Sequence, residues 1–182
     1  MALPHLLLTE LLNSQSGETG YDLTKHVVRG RLSFMWHASH QQVYRELGKL
    51  EAAGLVDCTH EPQQGKPDRK RYNITPAGKT ELQYFTGKTP ALKTVRDELS
   101  VNVLARKACN ASINAMINVH LELCQLKLEK LRASEQLLLN DTMSVSLLHR
   151  QIQMLEADIV WSVSMLNETY DQSEKIVEEA MV

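Results

Sequence analysis

The chain has 182 residues, 43% of them hydrophobic and 23% charged, with a formal net charge of −2. That is enough for one or two small domains with packed cores, and it argues against intrinsic disorder. It excludes a globally basic surface, and no run is long and apolar enough to span a membrane.

The cysteines Cys58, Cys109 and Cys124 are odd in number and far apart. This argues against a disulfide framework or structural zinc, and they read as small buried hydrophobes. The opening MALPHLLLTELL lacks a basic n-region and carries Glu10, so it is not read as a secretory signal; a cytoplasmic protein is expected.

Leu3, Leu6, Leu7, Leu8, Leu11 and Leu12 include the i, i+3, i+4 pattern of an amphipathic helix, with Pro4 in its first turn. Asn13 to Gly17 breaks it. A second helix is predicted over Gly20 to Val28, burying Tyr21 or Leu23 with Val27 and Val28. Arg31 to Ala38 is a loop holding Phe34 and Trp36. Ser39 is placed to cap a third helix, in which Val43, Leu47 and Leu50 face the core and His40, Gln41, Gln42, Arg45 and Lys49 face away. Gly54 stops it.

Leu55 to Glu61 and Arg69 to Ile74 alternate weakly and are joined by the turn-rich QQGKPD, a β-hairpin pattern. Within Lys66 to Arg71 stand four cations and one anion. Thr75-Pro76 opens a fourth helix running to about Thr86. Three helices, two strands and a helix make a winged helix-turn-helix. In that fold a polar helix enters the DNA major groove and a basic hairpin meets the backbone.

Beyond the linker candidate Gly87 to Thr94 the chain has no Gly and no Pro. Ile113, Ile117, Leu121, Cys124, Leu128 and Leu131 step by three and four, predicting a helix from Arg96 to about Glu135. A break surrounds Asn140 to Ser146. In the last helix, about 30 residues or ~45 Å long, Leu148, Ile152, Leu155, Ile159, Val163, Leu166 and Tyr170 form one stripe. Met154, Trp161 and Met165 form a second row. Two apolar faces require two partners, read as the preceding helix and a second subunit.

The predicted fold class is therefore mainly α with a small β-hairpin. A winged helix-turn-helix domain (1–87) and a linker (88–95) precede a long-helix, antiparallel coiled-coil-like dimerisation domain (96–182). No phosphate-binding Gly loop, HExxH, GxSxG or paired-Cys motif is present, so neither an enzyme nor a cofactor is expected.

Gln41 and Gln42, in the first turn of the third helix, can pair with adenine edges. Ser39 and His40 can bond phosphate. Arg45 and Lys49 can grip backbone or guanine, unless Lys49 is held by Glu46 or Glu51. In the hairpin, Arg69 and Arg71 share one face and Lys70 the other, so Lys66, Arg69 and Lys70 are favoured for contact. Trp161 reads as a packed interface residue, with a flat ligand slot as the alternative.

The blocks GYDLTKHV, SHQQVYRELGKLEAAGLV and EPQQGKPDRKRYNITPAGK, with their spacing, resemble the PadR family of bacterial transcriptional regulators. HASHQQVYREL, QGKPDRK and TVRDE are similar to its AphA-like subgroup, whose C-terminal part is a helical dimerisation domain. The likeness is strong over residues 2–98 and architectural beyond. It implies a homodimer on an inverted-repeat operator in double-stranded DNA, associated with the nucleoid. Tyr44, beside the buried stripe, is read as half-buried with its hydroxyl on phosphate, a Tyr that recurs in the family's recognition helix, and the likeness gives Tyr21 and Lys25 a bracing role on the backbone. It leaves open the sign of regulation, a phenolic or other hydrophobic effector, and a second transcription factor at the promoter. A protein-interaction module is the competing reading, since a fold alone does not fix function.

Overall fold

The computed structural model describes residues 2–62, 69–92, 96–138 and 141–180, with 169–180 as backbone alone. The chain divides into two compact units, Met1–Leu92 and Lys93–Val182. Among the described residues no helix is long and apolar enough to cross a membrane.

The first unit contains α1 (Leu3–Asn13), β1 (Glu18–Thr19), α2 (Gly20–Val28), α3 (His40–Ala52), β2 (Val56–Glu61), β3 (Arg69–Ile74) and α4 (Pro76–Thr86). Pro4 and Pro76 sit in first turns, where the missing N–H has no intrahelical partner to lose. Leu3, Leu7, Leu8 and Leu11 of α1 pack on Leu23, Val27, Val43, Leu47 and Leu50. Glu10 of α1 is buried too, and the Arg31 guanidinium donates to its carboxylate at 2.5 Å.

Of the two candidates Tyr21 and Leu23, Leu23 is the buried one and Tyr21 is exposed; the expectation for Val28 is corrected, since it is only half-buried while Leu23 and Val27 carry the buried face. Leu23 and Val27 are one turn apart and share a face, whereas Tyr21 lies about 200° around the helix from Leu23.

In α3 the buried residues are the predicted Val43, Leu47 and Leu50. Its start is a capping box. Ser39 Oγ accepts from the Gln42 N–H at 3.2 Å, and Gln42 Oε1 accepts from the Ser39 N–H at 2.8 Å. Removing it by Ser39→Ala should lower unfolding stability by about 1 kcal/mol, read from the urea midpoint at constant m-value. Gly54, at φ +68°, ends the segment in the left-handed conformation that glycine adopts without penalty.

The sheet has a strand that the sequence pattern does not predict. β2 and β3 pair antiparallel from Val56↔Ile74 to Glu61↔Arg69, and β1 pairs along the other edge of β3 through Glu18↔Tyr72 and Thr19↔Arg71. A two-residue strand is too short to show a period of two. What permits it is Gly17, at φ +72°, where a Cβ would lie 2.2 Å from Asn73 Oδ1. The order β1-β3-β2 makes β3 the central strand and ties the hairpin to the loop before α2.

The second unit contains α5 (Glu98–Ala108), α6 (Asn114–Ser134), a 3-10 turn (Glu135–Leu138) and α7 (Thr142–Ala180). The single helix predicted over Arg96 to Glu135 is two. Asn110 takes φ 53°, and the Ala111 and Asn110 N–H groups bond back to the Arg106 and Lys107 carbonyls. That is a Schellman stop with Asn in place of the usual Gly, so the absence of Gly did not mean an absence of helix ends.

α7 begins at Thr142, inside the stretch read as a break, because the Asp141 carboxylate accepts from the Ser144 N–H at 3.1 Å. Its 39 residues make it longer than predicted, about 58 Å at the standard rise. α6 and α7 are antiparallel; Arg132 of α6 pairs with Glu156, and Glu135 of the 3-10 turn pairs with His149, at 2.9 Å each. Ile117, Cys124 and Leu131 meet Leu148, Ile152, Leu155 and Leu166, with Ile159 half-buried. Val163 does not join this stripe. It is exposed, and Ser162 takes the buried position, its hydroxyl donating to the Asp158 carbonyl at 2.8 Å. Tyr170, also predicted in the stripe, has its side chain outside the described residues.

Candidate nucleic-acid interface

The core stripe of α3 forces the rest of the helix outward. His40, Gln41, Gln42, Tyr44, Arg45 and Lys49 are all exposed, as is Ser39 at the cap. They are not equivalent. The Gln42 amide oxygen is engaged in the capping box, whereas among the described residues nothing engages the Gln41 amide. Gln41 is thus the better placed to read a base edge bidentately. The commitment of Gln42 is written locally, since Ser-x-x-Gln ahead of an apolar stripe is a capping-box signature.

Arg45 and Lys49 converge on Glu46, at 3.7 and 2.8 Å. Both cations are mostly exposed, and such pairs contribute little, so either can exchange its carboxylate for a phosphate cheaply.

Tyr44 turns its ring toward the start of α2 and, with Thr19, Gly20, Tyr21, Arg69 and Lys70, lines a groove of about 320 Å³. Two phenols and two cations from α2, α3 and β3 therefore face one concavity. The structure brings together Tyr21, Tyr44, Arg69 and Lys70 of the predicted set. Lys25 stays exposed on α2, one turn beyond Tyr21. Lys66, with Gly65 and Pro67, lies outside the described residues.

Arg71 is a residue whose role sequence reasoning missed. Its guanidinium donates to both Glu61 carboxylate oxygens, at 2.5 and 3.4 Å, and to the Gly17 carbonyl at 3.1 Å. It thereby clasps β2 to the loop before β1. The Arg71 hydrogen bond holds the Glu61 carboxyl below its usual range. A run of four cations gave no sign which one was committed internally; the partners, Glu61 across the hairpin and the Gly17 carbonyl, lie 10 and 54 positions away. Beside it Tyr72 is buried over Cys58, and burial pushes its phenol up to about 12. It anchors the hairpin to the core.

In the helical unit α5 buries none of its residues, and Val101 and Leu104 are exposed. Met143, Leu147, Met154, Trp161 and Val163 of α7 are exposed as well. A cavity of about 670 Å³ opens among Arg96, Leu99, His120, Met154, Asp158 and Trp161. Among the described residues no group of three or more His, Cys, Asp or Glu could hold a metal ion.

Three helices, an antiparallel hairpin braced by a short third strand, and an outward polar helix beside it define a winged helix-turn-helix protein with a helical C-terminal unit. Residues 8–84 match the model of the transcriptional regulator PadR-like family. The chain is 36% identical over 81 residues to the negative transcriptional regulator PadR of Bacillus subtilis, 44% of each protein. It is similar to the structure of the Vibrio cholerae virulence activator AphA, with 30% identity, a TM-score of 0.78, and coverage of 93% of this chain and 99% of that one. Bacillus subtilis PadR in complex with operator DNA shares the fold at 24% identity and TM-score 0.78, covering 92% and 99%. The chain belongs to the PadR-like family of transcriptional regulators.

Proposed function

We propose that this regulator acts as a homodimer that reads an inverted repeat in duplex DNA. In this reading α3 enters the major groove, with Gln41 at the base edges and Arg45 and Lys49 on the backbone or a guanine. Ser39, His40, Tyr21, Lys25, Tyr44, Arg69 and Lys70 hold phosphates, and Lys66 extends the hairpin's contact. The observation that carries it is the groove in which Tyr21, Tyr44, Arg69 and Lys70 converge beside the polar face of α3. Bacillus subtilis PadR has been solved on operator DNA, which supports the same client here.

Dimerisation is supported by the apolar residues of α5 and α7 that stay exposed among the described residues. A two-fold axis through them would impose two-fold symmetry on the operator. The test is selection of bound duplexes from a random pool at two salt concentrations. An inverted repeat whose recovery fades with salt is expected. Failure to enrich any motif at either salt would count against a DNA client.

A small-molecule effector is a further element of this reading. Bacillus subtilis PadR has been solved with p-coumaric acid. The cavity beside Trp161 is, at about 670 Å³, within the usual range of small-molecule sites. Quenching of Trp161 fluorescence by a phenolic acid in a Trp36→Phe background would support it; an unchanged signal at millimolar ligand would oppose it.

A further inference from the structure

We infer that Gly20 is a positioning residue for DNA binding, and that its function is to leave space for the Tyr44 ring. The inference rests on the reading of the Tyr21–Tyr44–Arg69–Lys70 groove as a backbone contact. A Cβ built on Gly20 would lie 2.7 Å from Tyr44 Cε1, 3.1 Å from Cζ and 3.2 Å from the hydroxyl oxygen. The three nearest atoms all belong to that one side chain.

The usual reason for a glycine does not apply. Gly20 has no left-handed φ, unlike Gly17 and Gly54. It opens α2 directly after the cap Thr19, a position whose backbone geometry any residue can adopt. An alanine would be compatible with the helix and would cut the freedom of the unfolded chain. What it would not be compatible with is Tyr44 in its present place.

Tyr44 is exposed along much of its surface, so its ring can swing out at little cost to the fold. The consequence falls on the groove. With the ring displaced, the phenol leaves Tyr21, Arg69 and Lys70, and α3 loses its shared wall with α2 and β3. Gly20 therefore acts on affinity through the position of the Tyr44 ring.

The test is a double-mutant cycle on the full-length chain, with operator affinity and thermal midpoint measured for wild type, Gly20→Ala, Tyr44→Ala and the double variant. Gly20→Ala is expected to keep or raise the midpoint while losing about tenfold in affinity, the scale of one hydrogen bond to a charged group. In the Tyr44→Ala background the same substitution should leave affinity unchanged, because the ring it displaces is gone. Two outcomes would overturn the inference: wild-type affinity in Gly20→Ala, or additive losses in the double variant. Failure of the groove reading is separately visible. It would appear as unchanged binding by an Arg69→Ala, Lys70→Ala variant, whatever the cycle gives.

Discussion

An Arg69→Ala, Lys70→Ala variant should bind its operator on the order of 10–100-fold more weakly than wild type at moderate salt. Its plot of log affinity against log salt should be shallower by roughly 1.8. Each cation that neutralises one phosphate contributes about 0.9 to that slope through counterion release. Both side chains are exposed at the loop end of the hairpin and line the groove with Tyr44. Neither is held by the Glu61 clasp that engages Arg71. The fold should therefore survive, with an unchanged urea midpoint. Arg71→Ala is the contrast. It releases β2 from the loop at Gly17, so its loss of affinity should come with a loosened hairpin, seen as faster amide exchange across β3. A double variant with wild-type affinity and slope would remove the hairpin from the interface.

If the protein forms the proposed dimer, Met154→Glu combined with Trp161→Glu should convert it to a monomer. Both side chains are apolar and partly exposed on α7, outside the stripe that packs on α6. Burial of each against a second copy is worth about 2 kcal/mol, with Trp among the strongest interface anchors. Two carboxylates there would forfeit that and add desolvation. The dimer dissociation constant should rise on the order of a thousandfold, read as a halved mass by sedimentation at micromolar protein. Helix content should hold, because Ile117, Cys124 and Leu131 still cover Leu148, Ile152 and Leu155 within the chain. An unchanged dimer mass would place the interface elsewhere. A monomer should also lose the inverted repeat, since one winged helix reads only one half-site.

The parts of this fold legible in the sequence are those whose cause is local. The Ser39 and Thr75 caps, Pro4 and Pro76 in first turns, the Val43–Leu47–Leu50 stripe and the Gly54 stop are each written within a few residues. The structure places them where the pattern did. The errors came where the local signal was weak or had two readings. Asn110 can lie inside a helix or end one, and the Schellman bonds decide it. Thr142 to Ser146 looked like a break because small polar residues are common in loops, yet capping by Asp141 starts α7 there. Along α7 a step of three or four from Ile159 is equally periodic, and contact with α6 selected Ser162 over Val163.

By itself the sequence determined the four helices and the hairpin of the first unit, the buried face of α3, the basic run after it and the family likeness, because periodicity, capping and turn chemistry act over one or two helical turns. Only the tertiary structure decided which polar side chains are committed elsewhere. Arg71 is held by Glu61 and Gly17, and Tyr44 rests where Gly20 lacks a side chain. Most of these partners lie far apart along the chain, and a distance through space between them exists only once the core has packed.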